Sequence, residues 1–339
     1  MNVLNVTRQT LRFREPVATA FGELRERELF TVELTGSDGV GGRGEAAPLE
    51  PYDGVAPAVV EAALADYAEA LRHIPADAPG ALLLDTCRAI ADLPCALAAV
   101  DLALWDRAGR RSGRPVASLL SDDHLEHVEC NAMIGATDRA GAAGQAAQGV
   151  AEGFSCVKLK VGIGDDAGRV AAVRAAIGPD TLLRLDANGA WDVEQAVAAI
   201  ESLSAAGLEL VEEPVHGLEA LREVRARVAV RIALDESAAL PGGLAAGVAD
   251  AVCLKISRCG GISALLAQAS LARASGTDVY LASSFDGPLG IAAAVHAAAA
   301  LRVDVPCGLA TLALFDAEAP PELLARDGAI AVPTAGGLY

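Results

Sequence analysis

Six charged residues have the types that could hold a divalent cation and move a proton beside it. They are Lys158 and Lys160 in K-L-K, Asp186 in R-L-D-A-N-G, Glu212 in V-E-E-P, Asp235 in A-L-D-E-S and Lys255 in C-L-K-I-S. Each closes a short apolar run or stands just beyond one. Carboxylates at three such ends supply the oxygen donors of a hard divalent cation, with a substrate completing the shell. Magnesium fits that donor set, and manganese is the alternative. Lys158 and Lys160 are two residues apart, so on a strand both side chains face one way. Two ammonium groups buried together need carboxylates or a ligand to compensate them. Crowding by cations lowers a lysine pKa toward the range of a general base. Taken singly, each residue reads as a rim ion pair without chemistry. From Lys160 through Asp186, Glu212 and Asp235 to Lys255, however, the steps are 26, 26, 23 and 20 residues. That is about the length of one strand–helix unit.

Such units recur along the second half of the chain. Apolar runs at 127–133, 155–160, 182–186, 208–212, 231–234, 251–255, 278–281 and 305–309 read as strands. Helical stretches at 166–177, 193–206, 218–228 and 262–275 lie between them. Repeated strand–helix units imply a parallel sheet, and this many without interruption imply a closed barrel. The C-terminal rim of a barrel is where side chains from different strands converge. Lys255 stands four strands beyond Lys160, half of an eight-stranded circle, so the two lysines can face one substrate carbon from opposite sides. Residues 1–120 read differently, with strands near 30–34 and 44–48, a turn at 39–42, and helices at 56–73, 82–90 and 96–108. The expectation is an α/β protein: an α+β capping domain over 1–120, a barrel over 121–320, and a segment 321–339 returning to the cap.

With 53% hydrophobic and only 4% aromatic residues, the core must be built from small aliphatic side chains. The net charge of −18 repels nucleic acid and anionic membranes. A small carboxylate remains allowed, because a bound cation reverses the local field. The opening MNVLNVTRQTLRF lacks the pattern of a signal peptide. In GIAAAVHAAAAL the interrupting His296 suits a buried barrel helix better than a membrane span. Seven Cys without paired spacing read as reduced, buried thiols, and a cytoplasmic location follows. His216 reads as a surface-loop residue and Trp191 as packing beside the third-strand loop. Gly260 and Gly261 suit a tight turn, or more weakly a phosphate at a helix start.

The ordered series K-x-K, D-x-N, E-E-P, D-E-S, K resembles the enolase superfamily, in its muconate lactonizing enzyme subgroup. ALAAVDLALWDRAGRRSGRPV resembles the helix that joins that family's capping domain to its barrel, and GRGEAAP resembles an early capping segment. The likeness covers nearly the whole chain. It implies a modified (β/α)7β TIM-like barrel under an N-terminal α+β cap. It makes Asp186, Glu212 and Asp235 the metal ligands, with Asn188 and Glu236 supporting them. Lys160 becomes the base, Lys158 its partner, and Lys255 a second base or a stabilising cation. Residues 21–25 and 49–54 match two loops that reach over the barrel, where Phe21 and Leu24 can pack an apolar substrate body or be ordinary hairpin residues.

Within the subgroup, Asn131 and Met133 lie in a V-N-A-x-like stretch similar to that of o-succinylbenzoate synthases. CGLATLAL, residues 307–314, is similar to a late segment of the same enzymes. Those enzymes dehydrate a cyclohexadiene carboxylate to an aromatic acid in menaquinone synthesis. The chain lacks the D-x-D with which dipeptide epimerases hold the substrate amine. Arg258 occupies a position where N-succinylamino acid racemases carry arginine. In ASSFDGPLG, Ser283, Ser284 and Gly287 can offer donors to a distal carboxylate, whereas Asp286 can repel it, bind a substrate cation or face away. The implied activity is therefore dehydration. Racemisation, dipeptide epimerisation or another lyase or cycloisomerase reaction is the alternative, and association into homo-oligomers is expected from relatives.

Overall fold

The computed structural model describes residues 2–19, 22–135 and 137–339. In the cap, β1 (Val3–Thr19) and β2 (Gly22–Thr35) pair antiparallel, and β3 (Gly41–Ala46) adds to β2. One end of this hairpin makes a core. Leu4, Phe30, Val32 and Leu34 bury against α2 (Pro57–Arg72), which follows the short α1 (Glu50–Asp53). The other end leaves the cap. Leu11, Val17 and Leu24 pack onto the barrel's cluster, and Phe13 stacks on Phe315 at 4.6 Å. A register shift between Arg12 and Val17 bends the hairpin on its way. The early strand content is thus larger than the pattern at 30–34 suggests, because β1 buries only Leu4 and Phe13 and so carries a weak apolar signal.

α3 (Gly80–Ile90) precedes α4 (Pro94–Ser112), and α5 (Val116–Leu120) leads to the barrel. α4 presses directly on β3. A Cβ at Gly44 would stand 1.9 Å from the Ala99 carbonyl oxygen, so only glycine admits this approach. The same helix grips the barrel: Asp101 accepts Ser263 N–H at 3.1 Å and the Ser263 hydroxyl at 2.5 Å.

The run predicted at 127–133 divides at Cys130. β4 (His127–Glu129) pairs antiparallel with β12 (Ala329–Ala331), and β5 (Asn131–Ile134) enters the barrel. There follow β6 (Cys156–Lys160), β7 (Leu182–Asp186), β8 (Leu210–Glu212), β9 (Arg231–Leu234), β10 (Ala251–Leu254) and β11 (Asp278–Leu281). With β5 they form a seven-stranded parallel sheet in chain order. The eighth expected strand is reduced to single bridges, Cys130↔Cys307 and Ala282↔Gly308, which join the two edge strands and close the (β/α)7β barrel. Outside lie α6 (Arg139–Ala151), α7 (Asp166–Ile177), α8 (Val193–Leu203), α9 (Leu218–Arg227), α10 (Ile256–Cys259), α11 (Ile262–Ala274) and α12 (Pro288–Ala300). Aspartates 138, 165 and 192 cap α6, α7 and α8 by accepting backbone N–H groups three residues on.

α12 is almost wholly buried, which its alanines allow. His296 within it accepts Ala117 N–H at 3.1 Å and donates to the Leu338 carbonyl at 2.8 Å. Burial pushes its pKa down to about 4, so it is a neutral core histidine at pH 7. Among the described residues no helix is long and apolar enough to cross a membrane. Gly260 and Gly261, both at positive φ, turn α10 into α11. A Cβ on Gly261 would meet Asp101 at 2.5 Å, so the turn reading of this pair holds.

Candidate active site

Alternation along β6 turns Lys158 and Lys160 to the barrel interior, at the end where β7 and β8 finish in Asp186 and Glu212. Lys160 is in register with Asp186, and Asp186 with Glu212. Lys158 Nζ bridges these two acids, at 2.9 Å from Asp186 Oδ2 and 2.8 Å from Glu212 Oε1. Lys160 Nζ donates to Asp186 Oδ2 at 2.8 Å and to Asn188 Oδ1, and Asn188 Nδ2 donates to Glu236 Oε1 at 2.9 Å. Asp235, one residue past β9, accepts from Lys255 on the far side. The eight residues from Lys158 to Lys255 named for metal and proton chemistry therefore meet in one cluster.

Three further residues organise it, and none stood out in the sequence. Glu213 takes Asp235 N–H at 2.8 Å, Ser237 N–H at 3.0 Å and the Ser237 hydroxyl, tying the end of β8 to the turn after β9. Tyr52 descends from α1 of the cap. Its hydroxyl lies 2.8 Å from Asp235 Oδ1 and 2.7 Å from Lys255 Nζ. Tyr280 of β11 donates to Glu212 Oε2 at 2.7 Å. Asn188 and Glu213 carry positive φ values of 45° and 42°, strain that gathers where the side chains must converge.

The electrostatics correct one expectation. Burial opposes the charged form of Lys158, but Asp186 and Glu212 outweigh it and its pKa is raised. At Lys255 burial is likewise overcome, chiefly by Asp235, and the pKa goes well up. Carboxylates, not crowding by cations, decide both lysines. Asp186, though buried, is held well below the usual carboxylate range by Lys158 and Lys160. Glu213 and Glu236 are each pushed up to about 7, mainly by burial. Glu212 is raised by burial, with Asp186 and Asp235 adding to the effect against the pull of Lys158.

Five carboxylates here, Asp186, Glu212, Glu213, Asp235 and Glu236, face three lysines. Glu236 Oε2 is buried without a partner. Oxygens of Glu212 and Asp235 and the Cys253 sulfur lie within 4.8 Å of one another. Magnesium prefers the oxygens to the thiol. Asp186 stands outside that group, its Oδ2 paired with Lys158 and Lys160, so Glu212 and Asp235 are the carboxylates already placed to share such an ion.

Asp286 is buried; its Oδ2 accepts Ser284 N–H at 3.3 Å, while Gly287 N–H donates to Glu45 Oε1 of the cap at 2.7 Å. The Ser283 hydroxyl accepts Asp286 N–H at 2.9 Å and lies 3.0 Å from Thr311 Oγ1. This group belongs to the seam between cap and barrel. Asn131 is buried, and Met133 is in register with Lys158. The Arg258 guanidinium lies 5.1 Å from the centre of the Tyr52 ring. Leu24 is on the hairpin end that packs on the barrel, and Phe21 lies outside the described residues. His216 is exposed, 3.4 Å from Glu213.

A capping sheet over a (β/α)7β barrel with acids at or just past the ends of three successive strands defines a class of enzymes. Residues 141–338 match the family model described as enolase C-terminal domain-like, and residues 2–121 match the N-terminal domain of mandelate racemase and muconate lactonizing enzyme. The chain belongs to the enolase superfamily, in its muconate lactonizing enzyme subgroup. It is 30% identical over 329 residues to L-Ala-D/L-Glu epimerase of Bacillus subtilis, covering 94% of this chain and 87% of that one. It is 45% identical over 159 residues to o-succinylbenzoate synthase of Thermobifida fusca, covering 45% of this chain and 49% of that one. A dipeptide epimerase from Enterococcus faecalis, solved with Mg and the dipeptide L-Leu-L-Tyr, superposes with a TM-score of 0.91 at 28% identity, covering 99% and 98% of the two chains.

Proposed function

We propose that this chain removes the proton from the carbon beside a carboxylate and expels a neighbouring hydroxyl as water, the dehydration that o-succinylbenzoate synthases perform. The observation that carries the reading is the row of acids on β7, β8 and just past β9, flanked by Lys160 of β6 and by Lys255 past β10. Asp186, Glu212 and Asp235 would hold magnesium, with manganese able to replace it. When bound, the ion supplies positive charge beside the substrate carboxylate, where negative charge develops as the proton leaves. Lys160 Nζ accepts that proton. Lys158 and Asn188 fix the position of Lys160's carboxylate partner and of its ammonium, respectively. The C–O bond to the departing hydroxyl then breaks as the C=C bond forms, and Lys160 returns its proton so that water leaves. Lys255, held by Asp235 and the Tyr52 hydroxyl, adds positive charge on the opposite face. Tyr52 and α1 cover the site from the cap and exclude water.

One observation favours dehydration: a stretch of 159 residues is 45% identical to an o-succinylbenzoate synthase. Racemisation or epimerisation is the second reading, favoured by the paired lysines and by the full-length likeness to epimerases. The test is a parallel assay with magnesium of the hydroxylated cyclohexadiene carboxylate, N-succinylamino acids and dipeptides. Formation of the aromatic acid with the highest kcat/KM is expected. Racemisation at equal or higher kcat/KM, with no aromatic product, would overturn the dehydration reading.

A further inference from the structure

The seven barrel strands contain one aromatic residue, Tyr280 on β11. It is in register with Cys253, two residues before Lys255, so it stands one layer deeper in the barrel than the lysine. A phenol buried there must find a hydrogen-bond partner. It finds Glu212 Oε2 at 2.7 Å, while Glu212 Oε1 is taken by Lys158 at 2.8 Å. Two donors on different oxygens fix the plane of this carboxylate. A carboxylate has about four lone-pair directions, so acceptance from beneath leaves others directed to the rim.

The ring is itself held. The fully buried Arg184 lies with its guanidinium carbon 4.9 Å from the ring centre. Arg184 in turn donates to both oxygens of Glu209, at 2.5 and 2.9 Å, and to the Pro306 carbonyl at 2.6 Å. A column of Glu209, Arg184 and Tyr280 thus rises from the barrel floor and ends on Glu212.

We propose that Tyr280 is a positioning residue of the cation site: its hydroxyl, braced by Arg184 and Glu209, sets the orientation in which Glu212 receives the divalent ion. This rests on the reading of Glu212 as a ligand. Groups that orient a ligand in this way typically govern 10–100-fold in metal affinity. Tyr280→Phe keeps the ring and removes only the hydroxyl, so a packing role would leave magnesium binding unmoved.

The experiment is calorimetric titration of magnesium into chelator-treated protein, wild type against Tyr280→Phe. We expect a Kd raised about 10-fold or more with the circular dichroism spectrum unchanged, and activity that recovers as magnesium is raised. Equal Kd values in the two proteins would overturn the inference. A wild type that binds no magnesium would instead overturn the reading of Glu212 on which it rests. If the variant does not fold, wild-type protein labelled with 3-fluorotyrosine serves. Tyr52→Phe, Tyr67→Phe and Tyr339→Phe assign three of the four tyrosines and leave Tyr280 by elimination. Its fluorine resonance should shift on magnesium addition with the calorimetric Kd, and a resonance that stays fixed through saturation would count against the proposal.

Discussion

Lys160 and Lys255 flank the same acids but keep different company. Lys160 bonds to Asp186 and Asn188, near the end of its own strand's neighbour, while Lys255 is shared between Asp235 and the cap's Tyr52. The proposed chemistry gives proton removal to the first and charge stabilisation to the second. Lys160→Ala should therefore slow exchange of the substrate α-proton with deuterated solvent by about 100-fold or more while magnesium still binds. Nuclear magnetic resonance of the incubated substrate reads this, and exchange at the wild-type rate would reject Lys160 as the base. These lysines and the three acids were legible because each ends an apolar run, and the runs recur at the length of one unit. Glu213, Tyr52 and Tyr280 were not. Their partners are set by the turn after β9, by the docking of the cap and by the register of β11 against β10, none of which leaves a spacing in the chain.

At the scale of elements, the barrel strands were readable because both of their faces are buried. β1 was missed because it buries only Leu4 and Phe13, and the strand at 305–309 was over-read because its apolar residues serve two single bridges. The seam between β3 and the turn before α12 was also unseen, since GRGE and SFDG are more than 200 residues apart. There Glu45 faces Asp286 and the buried Arg27, whose guanidinium donates to the Pro48 and Ala47 carbonyls. Burial first, and Asp286 second, push the Glu45 carboxyl up to about 8. An unfolded Glu45 ionises near the ordinary 4.5. Between those values the native state holds a proton that the unfolded chain has released. The stabilisation is complete below about pH 4.5 and is lost as pH rises through about 8. Urea midpoints at pH 5 and pH 8.5 should fall less in Glu45→Gln than in wild type. Equal falls in the two proteins would show that this carboxyl does not carry the proton.

On the scale of the whole molecule, the cap and the barrel make one site. α4 seats the cap through Asp101, the hairpin packs Phe13 onto the barrel, and Tyr52 brings a hydroxyl to Asp235 and Lys255. The net charge of −18 is compatible with an acidic substrate only if the cluster gains positive charge locally. Everything in the proposed chemistry depends on Asp186, Glu212 and Asp235 sharing one divalent ion. Titration of magnesium into chelator-treated wild type, Asp186→Asn, Glu212→Gln and Asp235→Asn, each checked for intact fold by circular dichroism, tests this directly. One site per chain in the wild type, lost or weakened about 100-fold in each variant, is the predicted result. Binding of wild-type strength in all three variants would contradict it.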